Sequence, residues 1–413
     1  MKKLFLSFAV LLIFASSSLA AGFGLYEYSS RGTALGGTLT ARADGPSALA
    51  YNPAGITQIE GSHISFGLTA IRPALDLVIG GTNYGNEKTT WVPPHFYYTK
   101  QLNDKYWFGL SLTSRFGLGS EFKEDWPGRY NNYYACIQSV SLTPTLAMKV
   151  SDQFSVAVGM EAMWFEFEQK KKIDLTKGAA SDPATDVDAQ LKGDDIGWGW
   201  NLGLHFRPTE KLKLGLFYRS EVDQTVEGNV NFTTPAGVPA ALFPDTSGSG
   251  EVTTPASFTM GAAYQISEKT SIEADAMYIK WSSYKDLTIK YGEVIPAIGK
   301  DEVTTPKNWD DVWRYQLGIE HALTDNSWLR LGYVYDNSPV PDETIDYIVP
   351  ANDRQIYSIG YGFERKRWTW DFVYAYLDIK DRRINGRPHE GVYDSSITNA
   401  DTHMFGVTLS YSF

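Results

Sequence analysis

The sequence offers few residue clusters that could carry out catalysis. Its six histidines are scattered, and none has a spacing such as HExxH that would bind zinc. The single cysteine, Cys136, can neither form an intramolecular disulfide nor build a zinc site alone. The GxSxG motif of a nucleophilic serine is absent, and Gly117-Leu118-Gly119 is only a fragment of a phosphate-binding loop. We therefore predict a protein that is not an enzyme and has no metal or other cofactor.

The charge balance excludes further classes. Lys and Arg total 37 against 48 Asp and Glu, a net charge of -11, which disfavours a nucleic-acid partner because such binders need a basic face. Acidic pairs at Asp194-Asp195 and Asp310-Asp311 fit solvated strand ends. The mean hydropathy of -0.26 is too low for a bundle of membrane helices. A soluble β-rich protein or a membrane β-barrel remains.

The first twenty residues have the pattern of a secretory signal peptide. Lys2 and Lys3 precede an almost continuous apolar run, Leu4–Phe14, and small residues follow at 18–21. The run is short for a membrane helix, which needs about 20 apolar residues. We predict a signal peptide over residues 1–20, cleaved near Ala20 or Ala21. No later segment is long and apolar enough to be a membrane helix, so an exported membrane form would be a barrel.

Several segments alternate strictly between apolar and polar or small residues. In Ile196–Phe206 every even-numbered residue is apolar, and every odd-numbered one after Ile196 is Gly, Asn or His. The same period of two runs over Phe258–Ile266 and Trp368–Tyr376. A period of two predicts β-strands with one apolar face.

Connection lengths favour a membrane barrel over a soluble sandwich. Roughly fourteen strands follow residue 62, and tight connections alternate with long polar ones, as expected for periplasmic turns and extracellular loops. The tight connections fall near 102–105, 150–153, 207–211, 267–270, 323–326 and 364–367; the long ones near 73–89, 116–132, 173–194, 228–254, 286–309, 337–352 and 380–401.

We therefore predict an all-β fold, a transmembrane antiparallel β-barrel of about 14 strands over residues 63–413 in the outer membrane of a Gram-negative bacterium. The last strand alternates and ends at Phe413, a terminal aromatic that resembles the signal read by the barrel assembly machinery. Acidic loops would contact lipopolysaccharide through divalent cations. Five aromatic residues near strand ends are expected in the interfacial girdles: Trp107, Trp281, Tyr284, Trp313 and Trp328.

The segment 21–62 does not alternate and is rich in glycine and alanine. A barrel of about fourteen strands is too wide to be filled by its own side chains. We predict that this segment folds inside the barrel as a hatch, with a turn at Asn52-Pro53-Ala54-Gly55. The alternative is a flexible periplasmic tail.

Six motifs occur in consistent order between Ala21 and Phe413, and together they resemble the FadL family of outer-membrane long-chain fatty acid transporters. This family includes TodX-like importers of monoaromatic hydrocarbons. The motifs are Ala21-Gly22-Phe23 with the residues to Ser30, Ala43-Asp44 with Asn52–Thr57, Trp91–Pro94, Leu112–Ser114 with Gly117-Leu118, Tyr218–Val222 and Asp336–Pro341.

The resemblance implies passive uptake of hydrophobic ligands by a monomer. An amphipathic ligand binds among the extracellular loops and passes to a site near the hatch. Hatch movement then opens a path, and a kink in the third strand releases the ligand sideways into the membrane. A gap in a strand ladder has to be stabilised, because it leaves backbone groups without partners.

The resemblance also suggests site residues. The kink aligns with Ser114, Arg115, Phe116 and Gly117, where the alternative is a strand that simply ends. A carboxylate-binding cation aligns near Lys171, and a second aligns at Thr305, two positions from Lys307. Lysine offers a point charge rather than a bidentate fork. Phe116 and Phe243 are the expected apolar contacts, the latter in an outer groove.

Alternatives remain. Thr305 stands where the second cation of the family aligns, so an uncharged hydrocarbon is an alternative cargo. A general diffusion porin is disfavoured by the predicted hatch. If the protein were an outer-membrane hydrolase, His321 beside Glu320 would be the candidate catalytic histidine. A histidine at such a position is more often a residue of the lumen or of the girdle.

Overall fold

A single antiparallel β-barrel encloses a short helical segment in the computed structural model, which describes residues 22–176 and 182–413. Within those ranges no helix is both long and apolar enough to cross a membrane. The wall strands are β1 (Ser62–Ile79), β3 (Pro94–Gln101), β4 (Tyr106–Thr113), β6 (Tyr134–Lys149), β7 (Phe154–Ile173), β8 (Val187–Phe206), β9 (Leu212–Arg219), β12 (Ser257–Ser267), β13 (Thr270–Ile279), β16 (Val312–Thr324), β17 (Ser327–Asp336), β18 (Arg354–Arg365), β19 (Trp368–Ile379) and β21 (Ser395–Ser412).

These fourteen strands confirm the predicted barrel. Each wall strand pairs with its neighbours along the chain, and β1 pairs with β21 to close the ring, with Phe66 opposite Leu409. Closure leaves no sheet edge in the hydrocarbon region, where an unpaired backbone group has no water to bond. Phe413 lies exposed at the end of β21, and its amide donates to the Ser62 carbonyl.

The alternating strands turn their apolar faces outward. On β8, Trp198 is 68% exposed, whereas the neighbouring inward residues Asn201 and His205 are buried. Phe258–Ile266 and Trp368–Tyr376 behave alike, with Met260, Ile266 and Phe372 on the outside. An apolar exterior around a polar interior is the arrangement that a bilayer stabilises.

The tight connections lie where they were predicted, between consecutive wall strands. The long connections carry strands of their own, and some wall strands extend well into them. For example, β8 begins at Val187, inside the connection predicted over 173–194. The shorter strands are β2 (Thr82–Gly85), β5 (Gly117–Glu121), β10 (Val222–Thr233), β11 (Thr246–Thr254), β14 (Asp286–Ile295), β15 (Lys300–Pro306) and β20 (Arg382–Ile384).

The girdle prediction was wrong for four of its five aromatic residues. Trp281 is 0% exposed, and Tyr284 and Trp107 are also buried inside the barrel. Trp328 lies next to the inward Arg42 and Glu320 at the mouth of the lumen. Burial against the interior segment and the loops, rather than position near a strand end, decides where these rings lie.

The interior segment contains helices α1 (Ser30–Ala34) and α2 (Ala48–Tyr51) and the 3₁₀ helix Pro53–Gln58. Ser29 caps α1 by accepting a 3.0 Å hydrogen bond from the Gly32 amide. Leu35, Leu39, Leu49 and Ile56 form a small apolar core with the inward ring of Tyr97. The predicted signal peptide, residues 1–20, lies outside the described residues.

Candidate functional site

The interior segment approaches the wall most closely where the wall has glycine. A Cβ at Gly215 would lie 2.0 Å from the Thr40 carbonyl oxygen, and one at Gly203 would lie 2.5 Å from the Asn52 Oδ1. Only glycine leaves room for this contact. The segment therefore packs directly against the inner surface of β8 and β9.

Asn52 joins the segment to itself and to the wall. Its Oδ1 accepts from the Ala54 amide, and its Nδ2 donates to the carbonyls of Thr40 at 2.7 Å and Leu204 at 2.9 Å. Pro53, Ala54 and Gly55 are buried beside it. The predicted Asn-Pro-Ala-Gly turn is thus a point of attachment to β8.

A carboxylate of the wall holds the other side of the segment. Glu273 on β13 accepts from the amides of Ala41 at 2.6 Å and Arg42 at 3.0 Å, and its Oε2 lies 3.4 Å from the Arg42 Nη1. Asp275, next on the same inner face, accepts from the Thr40 amide at 3.3 Å. All these groups are buried, so their hydrogen bonds are made away from bulk water.

An ion-pair chain also reaches the segment. Arg31 lies 2.7 Å from Asp44 within the segment and 2.9 Å from Glu320 on β16. Glu320 is also paired with Arg330 at 2.6 Å. Glu320 points inward, whereas His321 is exposed and hydrogen-bonded to Thr270, so the two neighbouring side chains do not share a site.

The pH response of this chain can be predicted at Asp44. Burial alone would raise the pKa of Asp44, but the positive charges of Arg31 and Lys213 hold it below its ordinary value. A carboxyl group with a lowered folded-state pKa stabilises the fold fully above its unfolded pKa, about 3.9, and loses that effect as pH falls through the folded value.

We therefore expect Asp44→Asn to lower the melting temperature by the same amount at pH 7 and pH 5, and the difference from wild type to shrink in stronger acid. Thermal unfolding of both proteins across this pH range checks the prediction. A difference that already shrinks between pH 7 and pH 5 would contradict it.

The third wall strand is interrupted at Ser114–Phe116. β4 ends at Thr113 and pairs with both β3 and β6, whereas β5 begins at Gly117 and pairs with β6 alone. On the open side, the Leu25 amide donates to the Arg115 carbonyl at 2.7 Å, and the Gly117 amide donates to the Phe23 carbonyl at 2.8 Å. The start of the interior segment thus takes the place of a wall strand.

Side chains from neighbouring strands stabilise the same interruption. The Ser139 hydroxyl on β6 accepts from the Phe116 amide and donates to its carbonyl, at 2.9 Å and 2.8 Å. Arg115 is buried and lies 2.7 Å from Glu161 on β7. The Ser114 hydroxyl is buried with no hydrogen-bond partner in the described part of the chain. The predicted kink residues therefore surround a real break in the ladder.

A cluster of aromatic rings fills the lumen beside the break. The Phe23 ring lies 5.8 Å from Phe116, 4.8 Å from Trp281, 5.6 Å from Tyr284 and 5.6 Å from Trp309, measured between centroids. We call these five residues the aromatic cluster. Phe23 is the only member that belongs to the interior segment, so movement of that segment would withdraw it.

The two predicted cations lie close enough to repel each other. Lys307, which directly follows β15, acts electrostatically on Lys171 of β7. Lys307 is buried and paired with the buried Asp346, while the Lys171 ammonium has no ion pair or hydrogen bond within residues 22–176 and 182–413. Of the two lysines, Lys171 is therefore the one whose positive charge is available to bind a ligand carboxylate.

Phe243 lies apart from Phe116, in an apolar cluster of the extracellular loops. It is buried with Val187 and Ile295, and its ring is 5.7 Å from Phe232. We call these four residues the loop cluster. Ile173 packs against it, and Lys171 is two residues earlier on the same face of β7. Lys307 is two residues from Trp309 of the aromatic cluster, so each lysine is a near neighbour in sequence of one of the two clusters.

The sequence interpretation did not identify Phe23 and Trp309 as members of the aromatic cluster, and it misplaced Trp281 and Tyr284 in the girdles. Phe23 belongs to the first of the six motifs, but its contacts arise between segments far apart in the chain. In the described residues no group of His, Cys, Asp or Glu is placed to hold a metal ion.

The sequence as a whole matches one family model. It is described as an outer membrane protein transport protein family (OMPP1/FadL/TodX) and matches residues 11–413. The chain belongs to the FadL family. It is therefore an outer-membrane transport protein of Gram-negative bacteria, as its signal-like N-terminus and barrel pattern predicted.

Individual FadL-family proteins resemble the chain over almost its whole length. The long-chain fatty acid transport protein of Escherichia coli K12 is 26% identical, covering 99% of this chain and 98% of its own. A Pseudomonas aeruginosa FadL homologue has the same fold, with a TM-score of 0.84 at 22% identity, covering 95% of this chain and 100% of the homologue. The Pseudomonas putida toluene transporter TodX gives 0.75 at 18% identity, covering 95% and 99%.

Proposed function

We propose that this FadL-family protein takes up long-chain fatty acids by passive diffusion, and that movement of the predicted hatch, residues 21–62, controls the path; the structure describes the hatch from residue 22. The observation that carries the proposal is the break in the third wall strand, which the hatch itself closes through Phe23 and Leu25. A wall opening closed by a movable segment is a path for a ligand that leaves sideways.

The order of sites along the lumen supports an amphipathic cargo. The loop cluster is a buried apolar site among the extracellular loops, the Lys171 ammonium has no ion pair in the described residues, and the aromatic cluster lies next to the break. A fatty acid carries both an apolar tail and a carboxylate, so it can use each of these in turn. Relatives named as long-chain fatty acid transport proteins support the same cargo.

Release through the break follows from the chemistry of the surroundings. Outside the barrel lies the hydrocarbon of the membrane, where the tail is stable without crossing the aqueous periplasm. If the hatch withdraws, the backbone groups of Arg115 and Gly117 lose their partners at Leu25 and Phe23. Ser139 keeps its bonds to Phe116, which would limit the cost of opening.

A second cargo, an uncharged monoaromatic hydrocarbon, is favoured by one observation. The resemblance implies two cations that bind the fatty acid carboxylate. Asp346 neutralises Lys307, so only Lys171 is left for this role. The fold is shared with the toluene transporter TodX. Such a cargo would use the aromatic cluster and need no positive charge.

Parallel titrations of the detergent-solubilised barrel with oleate and toluene distinguish these cargoes. We expect wild type to bind oleate saturably and Lys171→Ala to weaken this binding about tenfold, because a charge-assisted hydrogen bond to a carboxylate contributes about 1.5 kcal/mol. Lys88→Ala, which removes an exposed lysine of the first extracellular loop, is the matched control and should bind as wild type does.

Each other outcome has a definite meaning. Toluene binding that Lys171→Ala leaves unchanged, with no binding of oleate, would assign the hydrocarbon cargo. If neither ligand bound and the barrel conducted ions in a planar bilayer, the transporter proposal would be wrong and a diffusion porin would replace it.

A further inference from the structure

An arginine without a counterion lies on the outer face of the barrel. Arg72 on β1 is exposed, between the buried inward residues Ile71 and Pro73. In residues 22–176 and 182–413, no carboxylate lies within the 4.0 Å of an ion pair with Arg72, and its guanidinium has no hydrogen bond. A lipid-facing arginine is unfavourable deep in the hydrocarbon and is tolerated near its boundary, so the depth of Arg72 decides what surrounds it.

The outward residues of three neighbouring strands change from apolar to polar at the level of Arg72. Arg72 pairs with His403 on β21, and His403 pairs with Tyr376 on β19, so the three residues form one row across the strands. We call them the boundary row. On the next pair towards the loops, Asp378 lies opposite Asp401. Towards the tight turns, the outward residues are aliphatic or aromatic: Ile64, Phe66, Leu68 and Ala70 on β1, Phe405, Val407 and Leu409 on β21, and Trp370, Phe372 and Tyr374 on β19.

This change places the boundary row at the outer edge of the hydrocarbon, at the level of the lipid head groups. An apolar band that ends in aromatic and polar residues is the usual exterior of a membrane barrel. The head groups of the outer leaflet therefore lie against Arg72, and an anionic group among them would supply the counterion that the chain lacks.

His403 and Tyr376 bring further hydrogen-bonding groups to the row. The Tyr374 hydroxyl and the His403 Nδ1 lie 2.9 Å apart, which leaves the His403 Nε2 for an external group. The Tyr376 ring is 5.4 Å from that of His403 between centroids, and its hydroxyl has no hydrogen bond in the described part of the chain. Arginine binds phosphate through two parallel hydrogen bonds, so Arg72 flanked by these groups fits a phosphate oxygen set.

The surface below the row suits acyl chains. Phe405 is 58% exposed and Phe66 is 48% exposed, and Leu68 and Phe372 are exposed beside them. A lipid whose phosphate lay on Arg72 would lay its chains along these residues, within the outer half of the membrane.

The acidic pair limits which phosphate can bind. Asp378 and Asp401 carry like charges directly opposite each other, and they also repel an anion placed on Arg72. Dissolved cations screen this repulsion. Binding is therefore expected with Mg²⁺ present, as in the outer leaflet, where divalent cations accompany the phosphates of lipopolysaccharide.

We propose that Arg72, His403 and Tyr376 form a binding site for a phosphate of lipid A, the phosphorylated and acylated sugar lipid that anchors lipopolysaccharide. The site lies on the outside of the barrel, so it is independent of the cargo proposed for the lumen.

Native mass spectrometry of the purified full barrel in detergent measures this binding, because it counts the lipids bound to each protein. The probes, all with Mg²⁺ present, are lipid A with two phosphates, the same lipid without phosphates, and phosphatidylglycerol. The proteins are wild type, Arg72→Gln, Arg72→Lys and the control Arg365→Gln, which changes an exposed arginine at the end of β18 near the tight turns. A folded barrel is verified by its heat-dependent gel migration.

We expect wild type to bind the phosphorylated lipid A more tightly than either other lipid. Arg72→Gln should weaken this binding about tenfold, because one charge-assisted contact is lost. Arg72→Lys should weaken it less, since it keeps the charge, and Arg365→Gln should bind as wild type does. The lipid without phosphates should bind equally to all four proteins.

Five results would overturn the inference. Equal affinity of wild type and Arg72→Gln for the phosphorylated lipid would show that Arg72 does not hold it. An equal loss in Arg365→Gln would show that only the net charge of the barrel matters. An equal loss for the lipid without phosphates would mean that Arg72 contributes packing alone. Phosphatidylglycerol that binds as tightly, and is lost in the same variant, would replace the sugar lipid with a phospholipid. A wild-type dimer that Arg72→Gln dissociates would assign the boundary row to a contact between two copies of the chain.

Discussion

Replacing Phe23 with alanine is expected to release the start of the hatch from the break in the wall. The ring contacts four members of the aromatic cluster and is 1% exposed. Truncation of a buried phenylalanine costs about 3–5 kcal/mol. Because the barrel ladder does not include Phe23, we expect this cost to destabilise the closed position of the segment rather than the barrel.

Hydrogen exchange at two amides measures this effect. The Leu25 and Gly117 amides are protected by bonds to the Arg115 and Phe23 carbonyls. A cost of about 3 kcal/mol would raise the exposed population, and thus the exchange rate, about a hundredfold. The melting temperature of the barrel should change little.

The matched control is Phe206→Ala, which removes a ring from the outer surface of β8. It should leave exchange at Leu25 and Gly117 unchanged. Unchanged exchange in Phe23→Ala itself would contradict the assignment of Phe23 as the group that closes the break. A barrel that no longer folds in Phe23→Ala would show that the cluster is needed for assembly instead.

Replacing Glu273 with alanine is expected to detach the middle of the hatch. The change removes the acceptor of the Ala41 and Arg42 amides and leaves the buried Arg42 without its counterion. Breaking one side of a buried ion pair costs about 3–5 kcal/mol. Relief of the repulsion between Glu273 and Asp275 offsets part of this, so we expect a net cost of about 2 kcal/mol or more.

The effect is again local and measurable. Exchange of the amides of residues 40–42 should accelerate at least about thirtyfold, while amides within the β1–β21 pairing stay protected. Glu364→Gln, which changes an exposed carboxylate near the end of β18, is the control. Equal protection of residues 40–42 in the variant and wild type would mean that other contacts, such as those of Asn52, hold the segment alone.

If both variants behave as expected, their comparison describes how the hatch moves. Phe23 holds the end that closes the wall, and Glu273 holds the part that fills the lumen. Independent acceleration at the two places would mean that the end can open by itself. Joint acceleration in either variant would mean that the hatch moves as one unit.

The sequence by itself determined the barrel. The period of two in strands such as β8 requires one apolar and one small or polar face, and strictly alternating connection lengths place all tight turns at one end. The period of two and the connection lengths are local properties of the chain, so they could be recognised without knowledge of the tertiary contacts. The glycine- and alanine-rich segment and the interruption near Ser114–Gly117 were also visible, the latter through its resemblance to the FadL family.

Only the tertiary structure decided which side chains form the site. Trp281 and Tyr284 were predicted to lie in the membrane girdle because both are aromatic residues near strand ends. These two properties do not specify whether a ring faces the lumen or the membrane, and contact with Phe23 places both rings in the lumen. Likewise, the sequence suggested both Lys171 and Lys307 as cations for a ligand, but it did not show that Lys307 is paired with Asp346, which is distant in sequence. Charge pairing and burial depend on residues brought together by closure of the barrel, which local patterns do not contain.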